Sequence, residues 1–252
     1  MLVLWHEQAK TSGVRLISIN RPGSSGTSKS SLPRVEQVVS DCIALLDHLS
    51  ISKVAILSIC AGTAFGLALA ARHPERVKHQ YVAVAPWVSP ADCHDTKSLY
   101  KIGVAVPQGL VRGVATLIRP FRKIGMGLPS SVFEAGFMST MSKPEQAVFQ
   151  KTGLTGALMQ KIMHEIQSET GGESEDVDIL LRPASEWGVE YSKLQQDFQI
   201  FHGTADTVVL PSSAEWLSAQ IKGCKLTKVD QGTHNGILIG PLMVTVLNIL
   251  KA

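Results

Sequence analysis

Val54-Ala-Ile-Leu-Ser-Ile59, followed at once by Cys60-Ala-Gly62-Thr63, is the stretch that decides the fold. A short apolar run bounded by turn signals suits a strand buried on both faces of a parallel sheet. The next segment, Thr63 to His73, is small, apolar and helix-forming, and Pro74 ends it. A buried strand therefore passes into a helix with one residue, Cys60, at the turn.

Outward from this point the same alternation repeats. Upstream, Val14-Arg-Leu-Ile-Ser-Ile19 alternates and is rich in β-branched residues, which predicts a strand. Before it, Leu4 to Ser12 predicts a short exposed helix. Asn20-Arg-Pro-Gly-Ser-Ser-Gly-Thr-Ser28 is a turn-rich loop. Val35, Val38, Val39, Cys42, Leu46 and Leu49 then fall on one helical stripe. Downstream, Tyr81-Val-Ala-Val-Ala85 is a strand stopped by Pro86. Strands and helices that alternate in this way predict an α/β domain with a mostly parallel sheet. Between 92 and 190 helical patterns predominate. Sheet signals return at Phe198-Gln-Ile-Phe201 and Lys225 to Val229, with helices at Ser212 to Ile221 and Pro241 to Leu250. The expected organisation is an α/β core of 1–91 and 191–252, with 92–190 a helical lid or cap inserted into it.

Composition removes several classes. At 252 residues, 44% hydrophobic and 18% charged, the chain is neither disordered nor fibrous. A net charge of +3 gives little reason to expect a nucleic-acid partner. No apolar run reaches the length of a membrane span. The four cysteines, Cys42, Cys60, Cys93 and Cys224, contain no C-x-x-C pair and read as reduced thiols. With no secretory signal pattern at the N-terminus, a cytoplasmic protein is expected.

The strand–turn–helix at Cys60 is the context of a nucleophile elbow, G-x-S-x-G, with Ser58 and Gly62 in the small-residue positions and cysteine in the centre. The thiolate is the reacting form of cysteine, and a helix N-terminus and a histidine favour it. The Ala61 amide would face the developing oxyanion. An acid and a base are then needed downstream. Phe201-His-Gly-Thr-Ala-Asp206 places Asp206 after a strand, and Gln231-Gly-Thr-His234 places His234 in a Gly-rich loop after the last strand. Both fall at carboxyl ends of parallel strands, where open α/β sheets build their sites. Asp92 is the rival acid and Ser58 the rival nucleophile. Cys93-His94 has no partners at metal-ligand spacing, and Asn20-Arg-Pro-Gly lacks the spacing of a phosphate loop.

These segments, in this order, resemble the α/β-hydrolase superfamily, in particular its esterase- and lipase-like members. The likeness rests on the Asn20–Ser28 loop, the elbow at Cys60, His202-Gly-Thr-Ala-Asp206 and Gly232-Thr-His234. The resemblance implies attack by Cys60, proton transfer by His234 and orientation by Asp206, with no metal or organic cofactor. A cysteine nucleophile with Asp and His is similar to the dienelactone hydrolases. The implied reaction is cleavage of a carboxylic ester, thioester or lactone of an apolar, acyl or polyketide-like molecule, as in secondary metabolism. Acyl transfer, cyclisation or lyase chemistry at the same site, and ligand binding without chemistry, are the alternatives.

The chain departs from the family at its front. The family's first three strands and its His-Gly oxyanion loop have no counterpart before Val14, so the chain reads as a truncated form. The missing third strand would leave the strands at Val14 and Val54 about 9–10 Å apart. An open sheet edge of this kind invites self-association into a homo-oligomer. The insertion carries basic residues without acidic ones from Thr96 to Phe133 (Lys97, Lys101, Arg112, Arg119, Arg122, Lys123) and the methionines Met126, Met138, Met141, Met159 and Met163. That composition suits a lid helix over an apolar substrate. The acidic run ending at Asp176 reads as an exposed loop.

Overall fold

A computed structural model describes residues 2–24, 26–29, 31–107, 109–111, 113, 117, 127–151, 155–158, 160–161, 176, 179–239 and 241–251. Four parallel strands form one sheet: β1 (Val54–Ile59), β2 (Val77–Val84), β3 (Asp197–Gly203) and β4 (Lys225–Val229), in that spatial order. Among the described residues, helices run as α1 (Leu2–Ser12), α2 (Arg34–His48), α3 (Gly62–Arg72), α4 (Ser98–Ala105), α5 (Ser130–Met138), α6 (Lys143–Lys151), α7 (Pro211–Gln220) and α8 (Pro241–Lys251), with shorter helical stretches between α4 and α7.

Successive strand residues face opposite sides of a sheet, and here both sides are covered. Tyr81 and Ala83 of β2, with Phe198 and Ile200 of β3, pack under Val35, Val39, Leu67 and Leu217 of α2, α3 and α7. Val82, Val84 and Phe201 point the other way, onto Trp5 of α1 and Met243, Val246 and Leu247 of α8. This two-sided burial is why β1 and the Tyr81–Val84 part of β2 are almost continuously apolar rather than alternating. The Tyr81 and Phe198 rings stack across the β2–β3 pair at 4.2 Å between centroids.

β1 and β4 have the boundaries that the sequence predicts, whereas β2 begins earlier, at Val77. Its first residues include the exposed Lys78 and His79, which lie at the register irregularity between the Val54–Val77 and Ile56–Tyr81 pairs, a polar stretch that masks a strand when only apolar runs are read. The predicted strand at Val14 does not form. Residues 14–19 have no ladder partner, and β1 is the edge of the sheet. A strand exists only through its neighbour's hydrogen bonds. Val14 and Leu16 still turn inward against the α8 side of the core. α1 is not the exposed helix expected. Trp5 and Ala9, one turn apart, are buried, and the Trp5 indole donates to the Leu238 carbonyl at 3.1 Å.

Among the described residues of 92–190 there are helices and no strand. Met141 is buried with Phe149 and Ile239, and Lys97 and Lys101 are exposed. Arg112, Arg119, Arg122, Lys123, Met126, Met159 and Met163 lie outside the described residues. So does 171–175 of the acidic run, but Asp176 is buried rather than exposed. Its carboxylate pairs with the Arg21 and Arg34 guanidinium groups, tying Arg21 and the start of α2 to residue 176. No helix among the described residues is long and apolar enough to cross a membrane.

Candidate active site

The turn after β1 is built by backbone. Cys60 adopts φ 48°, in the left-handed region that a β-substituted residue occupies only at a cost. Its N–H donates to the Val84 carbonyl at 3.1 Å, and its carbonyl accepts from Thr63 at 3.0 Å and Trp87 at 3.2 Å. The strained residue is thereby fastened to β2 on one side and to α3 on the other. Ala61 caps α3, so its N–H lies in the first turn, where helical amides lack an intrahelical acceptor.

The small-residue rule at this turn works through a different glycine from the one expected. A Cβ on Gly62 would meet nothing within 4 Å. On Gly66, one turn further along α3, it would fall 2.5 Å from the Tyr81 hydroxyl and 3.3 Å from Ser58 Cβ. Gly66 therefore sets how closely α3 lies on the sheet. Ser58 is buried beneath that contact, 3% exposed, on the α3 side of β1.

Asp206 lies in the loop after β3 and is buried. Its Oδ1 accepts the N–H groups of Val208 and Val209 at 2.8 and 2.9 Å. Its Oδ2 accepts His234 Nδ1–H at 2.7 Å. The two loops are drawn together by backbone. Ala205 N–H donates to the Gly232 carbonyl at 3.0 Å, and a Cβ on Gly203 would sit 2.1 Å from that oxygen. Only a glycine allows this approach.

The ring of His234 also neighbours Cys60. Burial by itself lowers the His234 pKa, but the Asp206 hydrogen bond and the Cys60 sulfur outweigh it and push it up to about 9. Burial would raise the Asp206 pKa, yet the hydrogen bonds from His202 and His234 hold it well below the usual carboxylate range. Cys60, Asp206 and His234 are thus neighbours. Asp92 does not join them. Its Oδ2 accepts the Ala184 N–H at 2.9 Å and the Tyr191 hydroxyl at 3.0 Å. Cys93 is buried, its thiol pushed up by burial.

Three neighbours carry no sequence signal strong enough to single them out. His202, fully buried on β3, places Nε2 3.0 Å from the Val209 carbonyl and 3.4 Å from Asp206 Oδ2. Two acceptors at one nitrogen require the Nε2–H tautomer, so His202 braces the aspartate. Its position four residues before Asp206 is the one available clue. Trp87 follows β2, and Tyr100 on α4 meets it edge-on at 4.8 Å between centroids. Burial, then the charges of Cys60 and Asp206, raise the Tyr100 pKa, which puts this ring at the border of the site.

Comparison with known proteins bears on the fold. A sequence family described as the alpha/beta hydrolase fold matches residues 1–124. An uncharacterized hydrolase of Bacillus subtilis (strain 168) is 33% identical over 94 residues, 36% of this chain and 31% of that protein's length. An alpha/beta hydrolase fold protein from Nakamurella multipartita superimposes with a TM-score of 0.68 at 22% identity, over 99% of this chain and 86% of the other. The enol-lactonase from Burkholderia xenovorans LB400 gives 0.63 at 17% identity, over 100% and 87%. At these identities the two structures establish a shared fold.

Proposed function

We propose that this chain, which has the α/β-hydrolase fold and matches that family over residues 1–124, is a hydrolase that cleaves an ester, thioester or lactone through a Cys60–His234–Asp206 triad. His234, its pKa raised by Asp206 and Cys60, holds the proton of the Cys60 thiol, and the sulfur attacks the substrate carbonyl carbon. The carbonyl electrons move onto oxygen, where the Ala61 N–H receives the oxyanion. As the intermediate collapses, the His234 imidazolium gives its proton to the departing alcohol or thiol, leaving an acyl-Cys60 thioester. Water, deprotonated by His234, then attacks the thioester, and Cys60 is reprotonated as the acid leaves. Asp206 holds the Nδ1–H tautomer and stabilises the imidazolium.

The observation that carries this reading is the 2.7 Å contact of Asp206 with a histidine whose ring neighbours a cysteine at φ 48° on the elbow. The segment 92–190 is read as a lid over the site. Its exposed apolar side chains, among them Ile102, Leu117 and Val132, favour an apolar acyl or polyketide-like substrate.

Hydrolysis of p-nitrophenyl acetate, octanoate and palmitate by the wild type and Cys60→Ala tests the proposal. Turnover on at least one ester, lost by a factor on the order of 10³ or more in the variant, is expected. Equal rates for the two proteins would overturn it and leave ligand binding without chemistry as the better account.

A further inference from the structure

The segment that holds α6 meets the histidine loop at one carboxylate. Ser142-Lys-Pro-Glu145 opens α6 with the glutamate half of a capping box, in which Glu145 Oε2 accepts both the N–H and the hydroxyl of Ser142, each at 2.8 Å. The same carboxylate reaches beyond its own helix. Oε1 accepts the Thr233 N–H and Oε2 the Thr233 hydroxyl, again each at 2.8 Å. Thr233 immediately precedes His234.

The contact is built into the loop on both sides. The Thr233 hydroxyl accepts the Gly236 N–H at 3.2 Å, and Asn235 Nδ2 donates to Thr140 Oγ1 at 3.0 Å. A Cβ on Gly236 would fall 1.8 Å from Glu145 Cδ, so the loop leaves bare the space that the carboxylate fills. Below it, Met141 and Phe149 pack on Ile239. Capping α6 needs only the Ser142 contacts. The two Thr233 contacts do nothing for the helix and fix the backbone that carries His234.

We propose that Glu145 is a positioning residue that clamps Thr233 and thereby holds the His234 ring between Cys60 and Asp206. The proposal rests on the reading of His234 as the base of the triad. It makes the geometry of the site depend on a helix that contributes no reacting atom. Burial alone would raise the Glu145 pKa, but the donors of Thr233 and Ser142 hold it below the ordinary value, so the clamp is in its ionised, four-acceptor form at neutral pH.

The test is an NMR titration of the His234 ring in the full chain, as wild type, Glu145→Ala, Glu145→Gln and Thr233→Val, with ester kinetics beside it. Asp206 and Cys60 face that ring, so its midpoint reports how firmly it is held between them. In the wild type the midpoint is expected near 9. In folded Glu145→Ala it is expected to fall towards the ordinary value of about 6.5, with kcat down about tenfold to a hundredfold and KM little changed. Glu145→Gln, which keeps one acceptor oxygen, should lie between. A purely structural glutamate would lower the melting temperature and leave the His234 midpoint in place, and that result overturns the proposal. Should Glu145→Ala not fold, Thr233→Val decides: a smaller fall supports the clamp, an unmoved midpoint overturns it. The titration is read whether or not the esters are substrates. A midpoint that falls in an inactive protein supports the clamp and sinks ester hydrolysis, while an unmoved midpoint in an active protein does the reverse.

Discussion

A cysteine at φ 48° costs on the order of 1–3 kcal/mol, and three backbone hydrogen bonds to Val84, Thr63 and Trp87 oppose that cost. The strain lifts the side chain off the end of β1. Asp206 is fixed just as firmly, and its fixing predicts the result of an amide substitution. In Asp206→Asn the oxygen stays at the Oδ1 position, because Val208 and Val209 both donate there. The NH2 group must then face His234 Nδ1, and a donor there forces the ring to carry its proton on Nε2. A ring protonated on that side cannot accept the Cys60 proton. The expected loss in kcat is about 10⁴-fold with the fold intact, read by ester hydrolysis beside circular dichroism. A variant within tenfold of wild type would show that Asp206 does not set the tautomer. Cys60, Asp206 and His234 were legible in sequence because each sits in a short local pattern at the end of a strand. Tyr100 and Glu145 were not, because what matters in each is a contact across the fold, such as Glu145 to Thr233, that no local pattern encodes. His202 stands in the same short motif as Asp206, but its bracing of that carboxylate shows only in three dimensions.

At the scale of elements, the approach of α3 to the sheet decides where the elbow stands. Gly66 is the point of closest contact, 2.5 Å from a built Cβ to the Tyr81 hydroxyl. That hydroxyl has no room to retreat, since Tyr81 is fully buried and stacked on Phe198. Gly66→Ala should therefore destabilise by about 1–3 kcal/mol through overpacking, measured by urea unfolding. Tyr81→Phe removes the atom that clashes, so the same Gly66→Ala change made in that background should cost much less. Additive costs would mean that the clash lies elsewhere. The elements themselves were legible wherever apolar content and secondary structure coincide. β1 and β4 were read at their true ends, and α2, α3, α7 and α8 within a residue or two. Reading failed where neighbours decide. Val14 to Ile19 has strand chemistry and no ladder partner, while Lys78 and His79 have none of that chemistry and sit in β2 at the irregularity between the Val54–Val77 and Ile56–Tyr81 pairs.

Across the whole molecule, the Asp206–His234 couple makes stability depend on pH. His234 is raised in the folded state, to about 9 against an unfolded value near 6.5. A raised histidine stabilises fully below its unfolded pKa and loses that contribution as pH climbs to the folded one. Asp206 is lowered, so its contribution is present above the unfolded value near 3.9 and is lost as pH falls below it. Both contributions coexist between about pH 4 and 6.5. Above that window, a shift of this size corresponds to roughly 3 kcal/mol lost by pH 9, and the His234 side chain is only 12% exposed, so solvent screens it little. Urea unfolding at pH 5.5, 7, 8 and 9.5 should show the wild type losing stability across this range. His234→Gln carries no titrating ring and should lose less. The difference between the two curves isolates the couple from every other group that titrates there. Parallel curves would mean that His234 is not raised, and would remove the imidazolium from the resting site.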